Sequence, residues 1–168
     1  MRAFQIRETG SFMSGLLSGD LFDAFLLEEA SLHTAVHWQT DGRVNRDFYD
    51  SETWNDPAQR PYELAQWKQV RPYFRELIKG TRAPSSFRFV LHLKPETMTA
   101  LLSRAGLSGL SDSIAALVLT IRYDGKQVSL VTGVGMKTFT MDRSADKMWD
   151  DAMQRFLVRA DIAFDPLT

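Results

Sequence analysis

Hydrophobic and polar residues alternate along residues 85–93 (SSFRFVLHL). Phenylalanine or leucine occupies every odd position from 87 to 93, whereas Arg88 and His92 occupy even positions. A period of two predicts a β-strand with one buried face. Residues 117–123 (LVLTIRY) alternate in the same way and lead through Asp-Gly into KQVSLVTG. Since Asp-Gly is a favoured dipeptide in tight turns, this stretch predicts a hairpin.

Apolar residues spaced three and four apart predict helices directly after two of the strands. In the second half of the chain, Pro95 suits the first turn of a helix and Gly106 its end. Near the start of the chain, Thr9 is the expected N-cap and Gly19 the expected end of the matching helix. The order strand, helix, strand, hairpin is therefore predicted twice.

Two segments about 85 residues apart have similar sequences. Residues 4–18 (FQIRETGSFMSGLLS) and 89–103 (FVLHLKPETMTALLS) share five of fifteen aligned positions. Later landmarks with nearly the same offset are TDGRV and YDGKQV at residues 40–44 and 123–128, Trp67 and Trp149, and Phe74 and Phe156. The pattern predicts an internal duplication, with a hairpin turn at Asp-Gly in each copy.

We expect an α+β fold with a largely antiparallel sheet and helices on one face. One domain would span residues 1–168 and consist of two β-α-β-β-β-α halves, residues 1–80 and 85–160. The third strand of the second half is predicted at MKTFTMD. Residues 50–61 (DSETWNDPAQRP) are polar, rich in turn formers and present only in the first half. They predict an inserted loop.

The sequence resembles two known groups of proteins. The stretches FDAFLLEEASLHT, DGRVNRDFYD and RPYFRELIKGTRAPSSF resemble an uncharacterised bacterial family, catalogued as a domain of unknown function, which implies no activity. The repeated β-α-β-β-β order is similar to the DNA sliding-clamp fold. In that fold the helices of the repeats are basic and face DNA. The two matching helices here contain a single basic residue, Arg104. The second resemblance therefore implies a fold, not encirclement of DNA.

Composition excludes several classes of function. The chain has 168 residues and no cysteine, which excludes disulfides, thiolate nucleophiles and every metal site that needs cysteine. No stretch has the length and apolarity of a signal peptide or a membrane span, so we expect a cytoplasmic protein without a membrane partner. The net charge of −1 argues against a surface that is basic throughout, but permits a local basic patch.

The histidines are not expected to bind metal, and no cofactor is predicted. Residues 32–39 alternate like a strand, which would hold His33 and His37 about 13 Å apart at about 3.3 Å per residue. Two ligands of one metal ion cannot be that distant. His92 is expected on the polar face of its own strand.

Four acidic residues offer the alternative of an enzyme. Asp20, Asp23, Glu28 and Glu29 could supply oxygen ligands or a general acid and base, with a site expected around the first three. The neighbouring Glu28 and Glu29 would point to opposite faces of a strand. Because no complete catalytic set is assembled along the chain, the sequence favours binding over catalysis.

The segment from 60 to 88, termed here the basic segment, concentrates positive charge. It contains seven basic and two acidic residues, a net charge of +5 in a chain whose total is −1. Residues 67–78 have helical periodicity, with a kink or restart expected at Pro72. The candidate binding residues, which would contact a polyanion such as nucleic acid or an acidic protein, are Lys68, Arg71, Arg75, Lys79 and Arg82.

Overall fold

A computed structural model describes residues 1–167 and confirms the α+β class, with a single antiparallel sheet. The elements are β1 (Ala3–Ile6), α1 (Thr9–Leu17), β2 (Phe25–His33), β3 (His37–Asp41), α2 (Ser51–Asn55), β4 (Ala65–Gln66), α3 (Trp67–Ile78), β5 (Ser86–Leu93), α4 (Pro95–Arg104), β6 (Ile114–Tyr123), β7 (Val128–Met136), α5 (Ser144–Arg159) and β8 (Phe164–Leu167). Strand order is β3-β2-β5-β6-β7-β1-β8, and β4 pairs with β2 beyond the end of β3. Within residues 1–167, none of the helices has the length and apolarity required to cross a bilayer.

One face of the sheet packs against the helices, as predicted. The odd-numbered residues of β5 are buried on this face, and Phe89 contacts the rings of Trp67 and Phe74 at 5.2 and 5.1 Å between centroids. Trp149 of α5 packs against Phe25 of β2, with 6.3 Å between ring centroids. The buried side chains of both halves of the chain form one continuous core. Burial of this apolar face supplies the main stabilisation of the sheet.

The second face of the sheet, termed here the open face, is polar. Strand pairing aligns Ser31, Arg88, Arg122 and Ser129 across four neighbouring strands, on the side opposite to the core. All four side chains are partly or largely exposed. An antiparallel sheet tolerates this arrangement because alternate residues of each strand face water.

A β-bulge in β2 corrects the expectation for the two adjacent glutamates. Leu27 pairs with Leu91 but Glu29 pairs with Val90, so Glu28 is an extra residue in β2. Both glutamates consequently face the open side: Glu28 contacts His92 and Glu29 forms an ion pair with Arg88. The prediction of opposite faces was wrong because a bulge interrupts the period of two.

The predicted order of elements in the two halves is observed in part. A strand and a helix occupy both residues 3–17 and residues 86–104, and each is followed by a strand pair. The third strand expected at MKTFTMD does not form: Met136 is the last residue of β7, and residues 137–142 lie in an irregular connection to α5. The inserted segment 50–61 contains the short helix α2 and is not only a loop. The internal duplication and the clamp-like topology stay predictions.

The turn of the first hairpin lies elsewhere than predicted. β2 and β3 are joined through residues 34–36, and Asp41-Gly42 instead ends β3. At Gly42 the chain passes so close to β2 that a Cβ atom would lie 1.7 Å from the carbonyl oxygen of Leu27. Glycine is required there because any side chain would collide with the main chain of β2. The second predicted hairpin is confirmed, since β6 and β7 are joined through Asp124 and Gly125, and Gly125 has a φ of +96°.

Helix α3 is continuous from Trp67 to Ile78, which corrects the expected restart at Pro72. Proline at this position removes one main-chain hydrogen bond. Burial of Trp67 and Phe74, which stack at 5.6 Å on the core side of the helix, stabilises α3 on both sides of the proline. Tertiary packing therefore overrides the local preference of the residue.

The phenol of Tyr62 attaches the segment between β3 and β4 to the start of α4. It donates a hydrogen bond to a carboxylate oxygen of Glu96, and the Lys94 ammonium lies 5.6 Å from the centre of its ring. This hydrogen bond raises the pKa of Tyr62 to about 12 and lowers the pKa of Glu96. The phenol-carboxylate pair thus favours the folded state at pH values at which Glu96 is ionised and Tyr62 is protonated.

We expect Tyr62→Phe to raise the pKa of Glu96 towards its ordinary value, because the main cause of the lowered pKa is removed. NMR titration of the Glu96 side-chain carboxyl carbon measures this shift. The raised Tyr62 pKa stabilises the fold at pH values below about 10, the pKa of an unfolded tyrosine, and this contribution disappears as the pH rises to about 12. In Tyr62→Phe the loss of stability at alkaline pH should be smaller. An unchanged Glu96 titration would contradict the assignment.

Candidate functional site

An apolar groove lies between α3 and the β2–β3 hairpin. Its volume is about 320 Å³. Leu27 and Phe74 belong to the core beneath it, Trp38 lines the β3 side, and Tyr73 and Leu77 line the helix side. The groove is therefore open to solvent although most of its lining is hydrophobic.

The helix side of the groove follows from the periodicity of α3. Val70, Tyr73 and Leu77 are spaced three and four residues apart and form one stripe along the helix. Tyr73 is 70% exposed. Most of this aromatic ring is in contact with water. The stripe therefore continues from the core to the surface, where a ligand could cover it.

The strand side of the groove depends on Trp38, which is 45% exposed. Its side chain lies on the core side of β3, opposite Leu32 of β2. The indole nitrogen donates a hydrogen bond of 3.3 Å to the hydroxyl oxygen of Thr34, which restricts the orientation of the ring. Exposed aromatic rings on both sides of a groove are typical of a binding surface.

β3 is an edge strand with unpaired main-chain groups. Gly42 donates to Glu28, and Thr34 donates to Val36. In an antiparallel pair these bonds alternate, so the amide and carbonyl groups of residues 37, 39 and 41 point away from β2. Within residues 1–167, no strand pairs with this outer side of β3. A partner strand could therefore add to the sheet directly beside the groove.

The five predicted binding residues of the basic segment lie on and just after α3, but two of them already form ion pairs within the protein. Arg71 forms an ion pair with Asp23, and Lys79 forms one of 2.7 Å with Glu76. Over the described residues, no carboxylate lies within ion-pair distance of Lys68, Arg75 or Arg82. All three are exposed. At about 100° per residue, Lys68 and Arg75 lie on the side of α3 facing away from the groove.

The acidic residues of the enzyme alternative are engaged separately. Asp23 pairs with Arg71, whereas Glu28 lies 2.6 Å from the Nε2 atom of His92 on the open face. Asp20 is exposed, and its carbonyl oxygen accepts a hydrogen bond from the amide of Asp23. In the part of the chain that the structure describes, no three histidine or acidic residues are grouped so that they could hold a metal ion.

The prediction about the first two histidines was wrong in its geometry. His33 and His37 face each other across the hairpin, with ring centroids 4.0 Å apart. The expected distance of about 13 Å assumed one uninterrupted strand. The turn at residues 34–36 reverses the chain and brings the rings together. His92 lies on the polar side of β5, as its alternation predicts.

Sequence reasoning missed the groove as a site. The alternation at residues 32–38 indicated that Trp38 lies on the same side of its strand as Leu32. The helical spacing indicated that Val70 and Leu77 lie on one apolar face of a helix. Neither pattern indicates that the two surfaces face each other. The signal in the sequence was Tyr73, an aromatic residue that directly follows Pro72 in the helical pattern.

The chain belongs to a family of unknown function, DUF5721, whose family model matches residues 15–165. This agrees with the resemblance to an uncharacterised domain noted from the sequence. No curated protein and no solved structure matches the chain.

Proposed function

We propose that this member of DUF5721 is a non-catalytic, cytoplasmic binding protein that holds an extended peptide segment of a partner protein between α3 and β3. One observation supports the proposal most directly: the unpaired edge of β3 runs beside a groove whose exposed walls are Trp38 and Tyr73. A small apolar ligand would need the groove alone. Only an extended chain would use both the groove and the main-chain groups of the edge strand.

Addition of a strand to β3 determines the chemistry of the peptide. Its main chain would hydrogen-bond to residues 37, 39 and 41, which provides affinity without dependence on sequence. Alternate side chains of the peptide would lie on the same face as Trp38 and enter the groove. The groove-facing positions would therefore be apolar or aromatic, and the intervening positions would lie beside the polar side chains of His37 and Gln39.

The proposal can be tested with peptides selected from a random phage-displayed library on the immobilised protein. We expect selected sequences with apolar residues at alternate positions and affinities that fall more than about tenfold in Tyr73→Ala, because a buried aromatic contact at an interface contributes about 2 kcal/mol or more. Isothermal titration calorimetry of a synthetic peptide gives the affinity.

Two further variants test strand addition itself. Gln39→Pro removes an amide that points away from β2, so it should weaken the peptide complex while the hairpin remains paired. Lys68→Ala, on the other side of α3, is the matched control and should bind like the unmodified protein. Failure to select any alternating peptide, or peptide affinity that is unaffected by both Tyr73→Ala and Gln39→Pro, would refute the proposal.

A second candidate function is the docking of the basic segment on a polyanion or an acidic partner. The supporting observation is that Lys68, Arg75 and Arg82 are exposed and have no ion-pair partner among the described residues. Lys68 and Arg75 are two helical turns apart on one side of α3, about 10 Å along its axis. Because Arg71 and Lys79 already pair with carboxylates, three cations would contact the polyanion.

Binding of a single-stranded oligonucleotide at low salt tests this second candidate. Three neutralised phosphates predict a log–log salt slope of about −2 to −3, and Arg75→Ala should reduce its magnitude by about one. Arg71→Ala is the comparison, since its guanidinium pairs with Asp23 and should contribute little to the slope. A slope that does not change in Arg75→Ala would exclude the basic segment as the docking surface.

A further inference from the structure

Two histidines face each other across the end of the first hairpin, with their rings stacked. His33 and His37 are the final residue pair of β2 and β3 before the turn. Their rings are parallel within 11°, with centroids 4.0 Å apart, and both side chains are exposed. The hydrogen bonds of the hairpin fall on the even-numbered residues, so this is a non-hydrogen-bonded pair, in which opposing side chains come closest.

The backbone under the two rings is held by several hydrogen bonds. The carbonyl oxygen of His33 accepts hydrogen bonds from the amide and the hydroxyl of Ser85, at 2.9 and 3.2 Å. The amide and hydroxyl of Thr34 donate to the carbonyl oxygen of Val36, at 2.9 and 3.1 Å. The main chain of the two histidines is consequently held in place before any ligand binds, which lowers the entropic cost of binding.

The imidazole nitrogens of this pair are available. Over residues 1–167, no hydrogen bond or ion pair engages either ring, in contrast to His92, whose Nε2 atom lies 2.6 Å from Glu28. A metal ion bonds to imidazole nitrogen at about 2.0–2.1 Å, so two ligand nitrogens around one ion lie about 3 Å apart. In the stacked arrangement the nitrogen lone pairs of the two rings do not converge, so both rings must rotate about their side-chain torsions to bind one ion. The close approach of opposing residues in a non-hydrogen-bonded pair permits this.

We infer that His33 and His37 together form a binding site for a divalent transition-metal ion. Two neutral imidazoles suit Cu²⁺, Ni²⁺ and Zn²⁺, and at a given nitrogen site the affinity is greatest for Cu²⁺. Mg²⁺ and Ca²⁺ prefer oxygen ligands and should not bind. With only two protein ligands, the ion keeps open positions for water or for a donor group of another molecule.

The metal site and the proposed peptide site share residue 37 but use different groups of it, since the peptide would bond to its main chain and the ion to its imidazole. The His37 side chain lies on the open face with Gln39, whereas the neighbouring Trp38 lies on the core side and lines the groove. Loss of metal binding and loss of peptide binding can therefore be produced separately. A result for one of the two sites does not decide the other.

Titration of the complete chain with CuCl₂, NiCl₂ and ZnCl₂, followed by calorimetry, tests the inference. We expect one equivalent of Cu²⁺ to bind with micromolar affinity, and His33→Asn or His37→Asn to weaken binding more than about tenfold. His92→Asn is the matched control and should retain the affinity of the unmodified protein. MgCl₂ serves as the negative control for the ion.

A second measurement locates the bound ion and does not depend on a substitution. Substoichiometric Cu²⁺ should broaden the ring proton signals of His33 and His37 first in the NMR spectrum. Circular dichroism of each variant verifies that its fold is unchanged. Cu²⁺ affinity that persists in His33→Asn and His37→Asn, broadening at His92 or the N-terminus alone, or absence of binding would each overturn the inference.

Discussion

Trp67→Ala is expected to lower the free energy of unfolding by about 3–5 kcal/mol, the range for truncation of a large buried aromatic side chain. Trp67 is fully buried. Its ring stacks on Phe74 at 5.6 Å and contacts Phe89 at 5.2 Å. Truncation would leave a cavity between α3 and the sheet at the centre of the core.

The indole nitrogen of Trp67 adds a hydrogen bond to this packing. It donates to the carbonyl oxygen of Leu16 at 2.9 Å, in the last turn of α1. Carbonyl groups in the last turn of a helix have no partner within the helix, so Trp67 satisfies a buried acceptor that alanine would leave unpaired. The substitution therefore affects α1 as well as α3.

Urea unfolding, monitored by circular dichroism, measures the decrease in the free energy of unfolding. Trp67→Phe keeps an aromatic ring but removes the hydrogen bond, and should cost less than Trp67→Ala. Tyr73→Ala, on the exposed side of the same helix, should change stability by no more than about 0.5 kcal/mol. If Trp67→Ala were as stable as Tyr73→Ala, the structural assignment of the core would be wrong.

Gly42→Ala is expected to destabilise the fold by about 3 kcal/mol or more. A Cβ atom at this position would lie 1.7 Å from the carbonyl oxygen of Leu27 and 2.6 Å from its carbonyl carbon. Both are main-chain atoms of β2 and cannot rotate away as a flexible side chain can. The chain would have to separate β3 from β2, which would also disturb the bulge at Glu28 and one wall of the groove.

Gly10→Ala is the matched control for Gly42→Ala. Nothing lies within 4 Å of a Cβ atom at Gly10, which is exposed in α1. Alanine is favoured over glycine in a helix by about 0.5–1 kcal/mol, so the same substitution should stabilise the protein there. Thermal unfolding of the two variants should therefore shift in opposite directions. A Gly42→Ala variant as stable as Gly10→Ala would contradict the close approach of β3 to β2.

Much of the sheet could be predicted because its signals are local. The alternation of residues 85–93 and the Asp-Gly turn between β6 and β7 depend on neighbouring residues alone. The first hairpin could not be located in this way. Apolar residues occupy positions 32, 36 and 38 and histidines occupy positions 33 and 37, so the same period of two is found on both sides of residues 34–36 and does not by itself reveal the turn there.

The residues of the candidate site illustrate the same limit. The charge of the basic segment is a property of the sequence, but the pairing of Arg71 with Asp23 joins residues 48 positions apart. Two carboxylates, Asp23 and Glu76, therefore neutralise two of the five predicted cations, Arg71 and Lys79. Local charge patterns do not predict the pairing of Arg71 with Asp23, because it depends on which elements the fold brings together, whereas Lys79 and Glu76 are only three residues apart.

The amino-acid sequence by itself determined the α+β class, the antiparallel strands, the helices α1, α3 and α4, and the concentration of positive charge between residues 60 and 88. These features follow from periodicity, turn residues and composition, which act over a few positions. Only the tertiary structure decided the turn between β2 and β3, the stacking of His33 on His37 and the groove between Trp38 and Tyr73. The physical reason is that each of these depends on the register of packed elements, which burial of the core selects over the whole chain.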